Sequence, residues 1–144
     1  MTSSMDHAPA PLLDHISHWS EPAQQALWRC RTLFHLIADE NGLGDLDEAL
    51  KWGQPAWRPK RPRTGSTLRM GWSEVTPDQL ALYVDCKTDL AQRMYSLYPD
   101  LPRNDGRRAL AISLAQAFPE QAMAHLAEMT FSYHLKKRAS ASMS

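Results

Sequence analysis

The stretch LKWGQPAWRPK (residues 50–60) holds two tryptophans five residues apart, a glycine, two prolines and flanking basic side chains. How it is read decides where the sheet begins. In an extended strand side chains alternate, so Leu50 and Trp52 share one face while Trp57 takes the other. Gly53 allows a bulge or a close backbone approach, and Pro55 has no N–H to give to a ladder. The stretch therefore reads as an edge or bulged strand that opens the sheet. Trp52 is expected to face the core and Trp57, past the proline, to face solvent. A bulge at Gly53-Gln54 would instead bring both rings to one side.

Further segments with a period of two follow. In TLRMGW (67–72), Leu68, Met70 and Trp72 alternate with Thr67, Arg69 and Gly71. In QLALYVD (79–85), Leu80, Leu82 and Val84 alternate with Ala81, Tyr83 and Asp85. In RALAISL (108–114), Leu110, Ile112 and Leu114 alternate with Ala109, Ala111 and Ser113. These are half-buried strands. The turn signals Thr64-Gly65-Ser66, Thr76-Pro77-Asp78 and Asn104-Asp105-Gly106 separate them. Strands that follow one another without a helix between them favour antiparallel pairing.

Helical periodicity appears in three places. From Ser20, a capping residue followed by Pro22 in the first turn, Leu27, Cys30, Phe34 and Ile37 recur at helical spacing until Asn41-Gly42 stops them. KTDLAQRMYSLYP (87–99) puts Leu90, Met94 and Leu97 on one side, with Thr88 as a cap. A last helix runs from Pro119 and buries Ala122, Leu126, Met129 and Tyr133. It ends in Lys136, Lys137 and Arg138, which suit the negative end of its dipole. The expected class is α+β: a small antiparallel sheet with helices packed mainly on one face, in the order α-β-β-β-α-β-α. Residues 1–19 read as a mobile lead, 20–137 as one domain and 138–144 as a disordered tail.

The totals narrow the function classes. The 144 residues suit a single domain with a real core. Sixteen basic residues balance sixteen acidic ones, against the basic excess of a dedicated nucleic-acid binder. The opening residues lack a basic, apolar leader, and no run approaches the roughly 20 apolar residues of a membrane span. A cytoplasmic location is expected. Cys30 and Cys86 form no CxxC pair and read as two buried, reduced thiols, with a disulfide or a nucleophile as alternatives.

One surface stands out. Trp52, Trp57 and Trp72 are placed to line a concave sheet face, with Lys51, Arg69 and Tyr83 supplying polar contacts. The basic loop carrying Arg58, Lys60, Arg61 and Arg63 reads as a solvated loop or, alternatively, a phosphate contact. Asp45, Asp47 and Glu48 lie in an acidic stretch after the first helix, where oxygen ligands for a hard cation or iron can gather. His15 and His18, three apart, give two metal ligands at most. There is no Walker loop, dinucleotide fingerprint or nucleophile elbow, so no cofactor follows from a motif.

The run EALKWGQPAW, a hairpin ending in MGW, then LALYVDCKTDLAQRMYSLYPDL, RALAISL and TFSYHLKK resembles the YdhG-like family, domain of unknown function 1801. The resemblance spans roughly residues 20 to 137, with KWGQPAW similar to a W-G-x-P-x-aromatic core. It implies a compact frataxin-like α+β layer. Because a bacillar member is described as a frataxin-like iron chaperone, it also implies iron as a ligand. The loop RPKRPRTGS is longer and more basic than the usual family hairpin. Three functional readings result. The favoured one is a non-enzymatic binding module that holds a small ligand or a partner, as monomer or homodimer. The others are an iron-handling protein using Asp45, Asp47 and Glu48, and an enzyme of unknown reaction with Cys86 as nucleophile.

Overall fold

The computed structural model describes residues 8–143. Its strands form one open antiparallel sheet of six, ordered β1-β2-β3-β4-β6-β5. They are β1 (Leu46–Lys51), β2 (Gln54–Pro59), β3 (Leu68–Gly71), β4 (Gln79–Tyr83), β5 (Arg103–Asn104) and β6 (Ala109–Ser113). The helices are α1 (Ala10–Ile16), α2 (Glu21–Glu40), α3 (Leu90–Leu97), α4 (Glu120–Phe131) and α5 (Tyr133–Met143). The α+β class holds, but the element order is richer than expected.

The first difference lies in residues 49–57. They are not one bulged strand but the two arms of a hairpin. Lys51 pairs with Gln54, leaving Trp52 and Gly53 as a two-residue turn. Both have positive φ, 54° and 72°. That is the mark of a type I′ turn, whose twist matches the twist of the strands it joins. The turn resets the alternation. Trp57 now pairs across the hairpin with Glu48 and is wholly buried, whereas Trp52 is 87% exposed at the tip. The expected placement of the two tryptophans is thus reversed. Pro55 is also not on an edge strand: β1 is the edge, and the recorded β2–β3 pairs begin only at Ala56.

One face of the sheet is the core. Trp57, Leu68, Met70, Leu80, Leu82, Leu110 and Ile112 point to it and cluster with Leu27, Cys30 and Phe34 of α2 and with Met123, Leu126 and Phe131 of α4. Phe34 sits edge-on between Trp57 and Phe131, with centroids 5.4 and 5.8 Å away. Such edge-to-face pairs satisfy the ring quadrupoles as well as burying area. Helix α2 starts where the sequence indicates, with Ser20 Oγ accepting from Ala23 N, and Gly42 at φ 65° follows its end.

Three further expectations change. Residues 10–19 do not lie outside the domain: Leu12, Ile16 and Trp19 belong to the core. The last helix breaks at Ser132, whose hydroxyl donates to Glu128 O at 2.5 Å. α5 then carries the chain as helix into the stretch expected as a tail. His134 and Leu135 at the start of α5 donate their amides to Thr64 O. Side chains of Ser, placed to compete for helical carbonyls, bend or end helices in this way. Leu97 is exposed rather than part of the buried side of α3.

The backbone of the basic loop is tied to its neighbours. Lys60 N donates to Asp45 O, Ser66 N donates to Thr130 O, and Arg138 Nη1 donates to Arg63 O at 2.6 Å.

Candidate functional site: the open face of the sheet

The face opposite the helices is built from the alternate residues of the same strands. The register sets Ala56 beside Arg69, Arg69 beside Tyr83 and Tyr83 beside Ala109 in one row. The next row runs Gly71, Ala81, Ala111 and Arg103. Small side chains at Gly71, Ala81, Ala109 and Ala111 leave a depression of about 460 Å³ over the middle of the sheet. Tyr83, Trp72, Gln54, Gln79, Arg103 and His15 stand around it.

Gly71 lies close beneath two side-chain tips. A Cβ there would come 3.3 Å from Tyr83 Cε2 and 3.4 Å from Gln54 Nε2. The missing side chain lets a phenol ring and an amide meet above one backbone. Trp72 is partly buried and donates its indole N–H to Pro77 O at 3.1 Å, which ties down the 73–78 loop that rims the groove. Burial, and next the neighbouring His18, lower the pKa of His15 below its usual 6.5. Arg103 brings a guanidinium to the lining. The described residues of the groove offer amides, hydroxyls, an imidazole, a phenol, an indole edge and one guanidinium.

A second depression of about 290 Å³ lies beside it. It is lined by Lys51, Trp52, Arg69, Arg108, Asp85 and Cys86, with Thr67 and Val84. The Arg69 guanidinium is 5.9 Å from the Tyr83 ring centroid, so these two residues join the two depressions.

The expected ligand set is therefore divided. Trp72 and Tyr83 line the groove, while Lys51, Trp52 and Arg69 line the second depression. Trp57 belongs to neither, since it lies in the core. Gln54, Arg103 and Arg108 lie outside the expected set, and His15, expected as one of two metal ligands at most, stands at the groove instead. Ala81, Ala109 and Ala111 were visible as the small partners of alternating leucines, and that alternation was the available signal for an open, shallow face.

The acidic trio does not converge. Asp47 and Glu48 are neighbours on a strand and point to opposite faces. Asp47 pairs with Arg58 at 3.7 Å. Glu48 is buried against α2, with Arg31 Nε at 2.5 Å and Nη2 at 2.9 Å. His35 Nε2 stands 3.6 Å from the same carboxylate, an ion-pair distance beyond hydrogen-bond range. Burial pushes the Glu48 carboxyl up, but His35, Arg31 and Trp57 around its oxygens outweigh that and hold it at about 2. Among the described residues no three of His, Cys, Asp and Glu gather as a metal site. His15 and His18 meet edge-on, with no third ligand beside them among the described residues.

Of the two thiols expected to be buried, only one is. Cys30 is buried, and burial pushes its thiol to about 12. Cys86 is exposed, in the turn after β4.

No family model, curated protein or solved structure matches this chain. Among the described residues no helix is long and apolar enough to cross a membrane.

Proposed function

We propose that the protein is a non-enzymatic binding module whose open sheet face holds a small molecule in the groove between Tyr83, Trp72 and Gln54. One observation carries this reading: Gly71, Ala81, Ala109 and Ala111 keep the groove floor low while larger polar and aromatic groups rim it. Concave sites with a few convergent polar groups are the usual form of small-molecule pockets. Membership of the YdhG-like family is part of the proposal and rests on the order of KWGQPAW, MGW, YVDCKTDL and SYH along the chain. A cytoplasmic location is also part of it, supported by two free cysteines.

The test is native mass spectrometry of protein purified from its own host, beside the Ala81→Phe variant that fills the groove floor. A co-purifying mass that leaves in the variant is the expected result. A ligand-free protein whose melting temperature no compound of a metabolite panel raises would defeat the proposal.

A further inference from the structure

The second depression has a chemistry of its own. Lys51, Arg69 and Arg108 bring three cations to it, against the single carboxylate of Asp85. No ion pair joins any of the three to a carboxylate of the described residues. Asp85 Oδ1 is already turned to its own loop, accepting from Lys87 N at 2.9 Å. Three cations facing one lining carboxylate give the hollow a positive balance that attracts an anion, and guanidinium groups match the oxygens of phosphate in a planar fork.

Arg108 is held in place by backbone. Its carbonyl accepts from Val84 N at 2.8 Å and its amide donates to Asp105 Oδ1 at 2.9 Å. Asp105 takes the amides of Arg107 and Ala109 as well, which fixes the turn that presents Arg108.

The second observation is Trp52. It occupies a left-handed position, φ 54°, that residues with a Cβ disfavour. It is 87% exposed, so no burial offsets that conformation. Asn, Asp or Gly is the ordinary occupant of such a turn. A strained backbone kept at a surface points to a use for the side chain. Trp52 offers a flat indole at the rim of the cationic hollow, and flat rings stack on such platforms.

We propose that this depression binds a small molecule carrying a phosphate on a planar ring system, of the nucleoside monophosphate kind. Arg69 and Arg108 clamp the phosphate, Lys51 adds charge, and the base stacks on Trp52. A volume of about 290 Å³ suits such a ligand rather than a dinucleotide. The site shares no lining residue with the groove, so it stands or falls without it.

The test uses AMP, inorganic phosphate and adenosine as probes, read by tryptophan fluorescence and by iodoacetamide alkylation of Cys86. The thiol of Cys86 lines the site, and buried Cys30 is silent. AMP is expected to quench fluorescence saturably and slow Cys86 alkylation several-fold. Phosphate should bind more weakly, and adenosine should not protect. Arg69→Ala and Arg108→Ala should each weaken AMP by about tenfold or more, the loss of one charge-assisted contact. Trp52→Asn, which keeps the turn, should bring AMP down to the level of phosphate. Lys60→Ala, which removes an exposed cation outside both depressions, should leave AMP binding within a factor of about three. Failure of AMP to bind at millimolar concentration overturns the site. So does AMP binding that Arg108→Ala and Trp52→Asn leave unchanged. Equal affinity for AMP and phosphate overturns the stacking role, and equal affinity for AMP and adenosine overturns the phosphate clamp.

Discussion

Trp57 Nε1 donates to Glu48 Oε2 at 2.6 Å, and the two residues face each other across the β1–β2 hairpin. The same carboxylate accepts from Arg31 of α2. One buried anion thus ties the hairpin to the helix layer. Arg31 and Glu48 expose only 5% and 8% of their side chains, so neither has water as a substitute partner. Replacing Glu48 by Ala takes the carboxylate from the buried Arg31 guanidinium and the acceptor from the Trp57 indole N–H. The expected loss is about 3 kcal/mol or more, the usual cost of removing one partner of a buried pair. Glu48→Gln should cost less. Urea unfolding followed by tryptophan fluorescence checks both.

Acid should unfold the protein through a defined window. Glu48 has an ordinary value of 4.5 and is held at about 2 in the fold, and Asp105 goes from 3.8 to about 2 through the amides of Ala109, Arg108 and Arg107. Depressed carboxyls mean that the unfolded chain binds more protons at low pH. Their stabilisation is complete above about 4.5 and is lost as pH falls toward 2. The melting temperature, plotted against pH, should decline across that interval. The Glu48→Gln variant should show a shallower decline.

Trp52→Asn should stabilise the ligand-free protein by about 1 kcal/mol, the usual penalty for a left-handed residue with a bulky side chain. The ring is exposed, so little packing is lost. A higher urea midpoint with an unchanged slope is the expected outcome. A lower midpoint would show that the indole packs on the fold.

Gly65 lies against α4. A Cβ there would fall 2.1 Å from Phe131 O, a backbone atom that cannot swing away. Its neighbour Ser66 donates its amide to Thr130 O at 2.8 Å, so the loop is held close. Gly65→Ala should cost about 2–3 kcal/mol, as overpacked sites do when backbone must shift. The change in thermal melting measures it, and a neutral result would show that the loop moves freely off the helix.

The two cysteines should react at very different rates. Cys86 is exposed, and Cys30 is buried with its thiol pushed to about 12. Thiolate is the reacting form, so Cys30 is protected twice. A chromogenic thiol assay should titrate one group per native chain and two in denaturant. Two fast thiols in the native protein would contradict the packing of α2.

The class of the fold was legible because its signals are local. Ser20 caps α2, Leu80 and Leu82 alternate with Ala81 as Leu110 and Ile112 do with Ala111, and small residues mark the other face. These features depend on neighbours within one turn or one strand, and the chain carries them in order. The end of the last helix was not legible, because Ser132 breaks it while Thr64, far away in sequence, accepts from the turn that follows.

KWGQ shows the limit most clearly. Alternation orders side chains only while the strand continues, and a two-residue turn reverses it. Trp at a left-handed position runs against local preference, so nothing nearby announced the turn. Pairing Glu48 with Trp57, and burying their contact beneath Arg31, decided which tryptophan became core. By itself the sequence determined the layers and the face that stays open. Only the tertiary structure decided that Trp52 stands at the rim with Arg69 and Arg108, because those residues come from three separate places in the chain and meet through the register of the sheet.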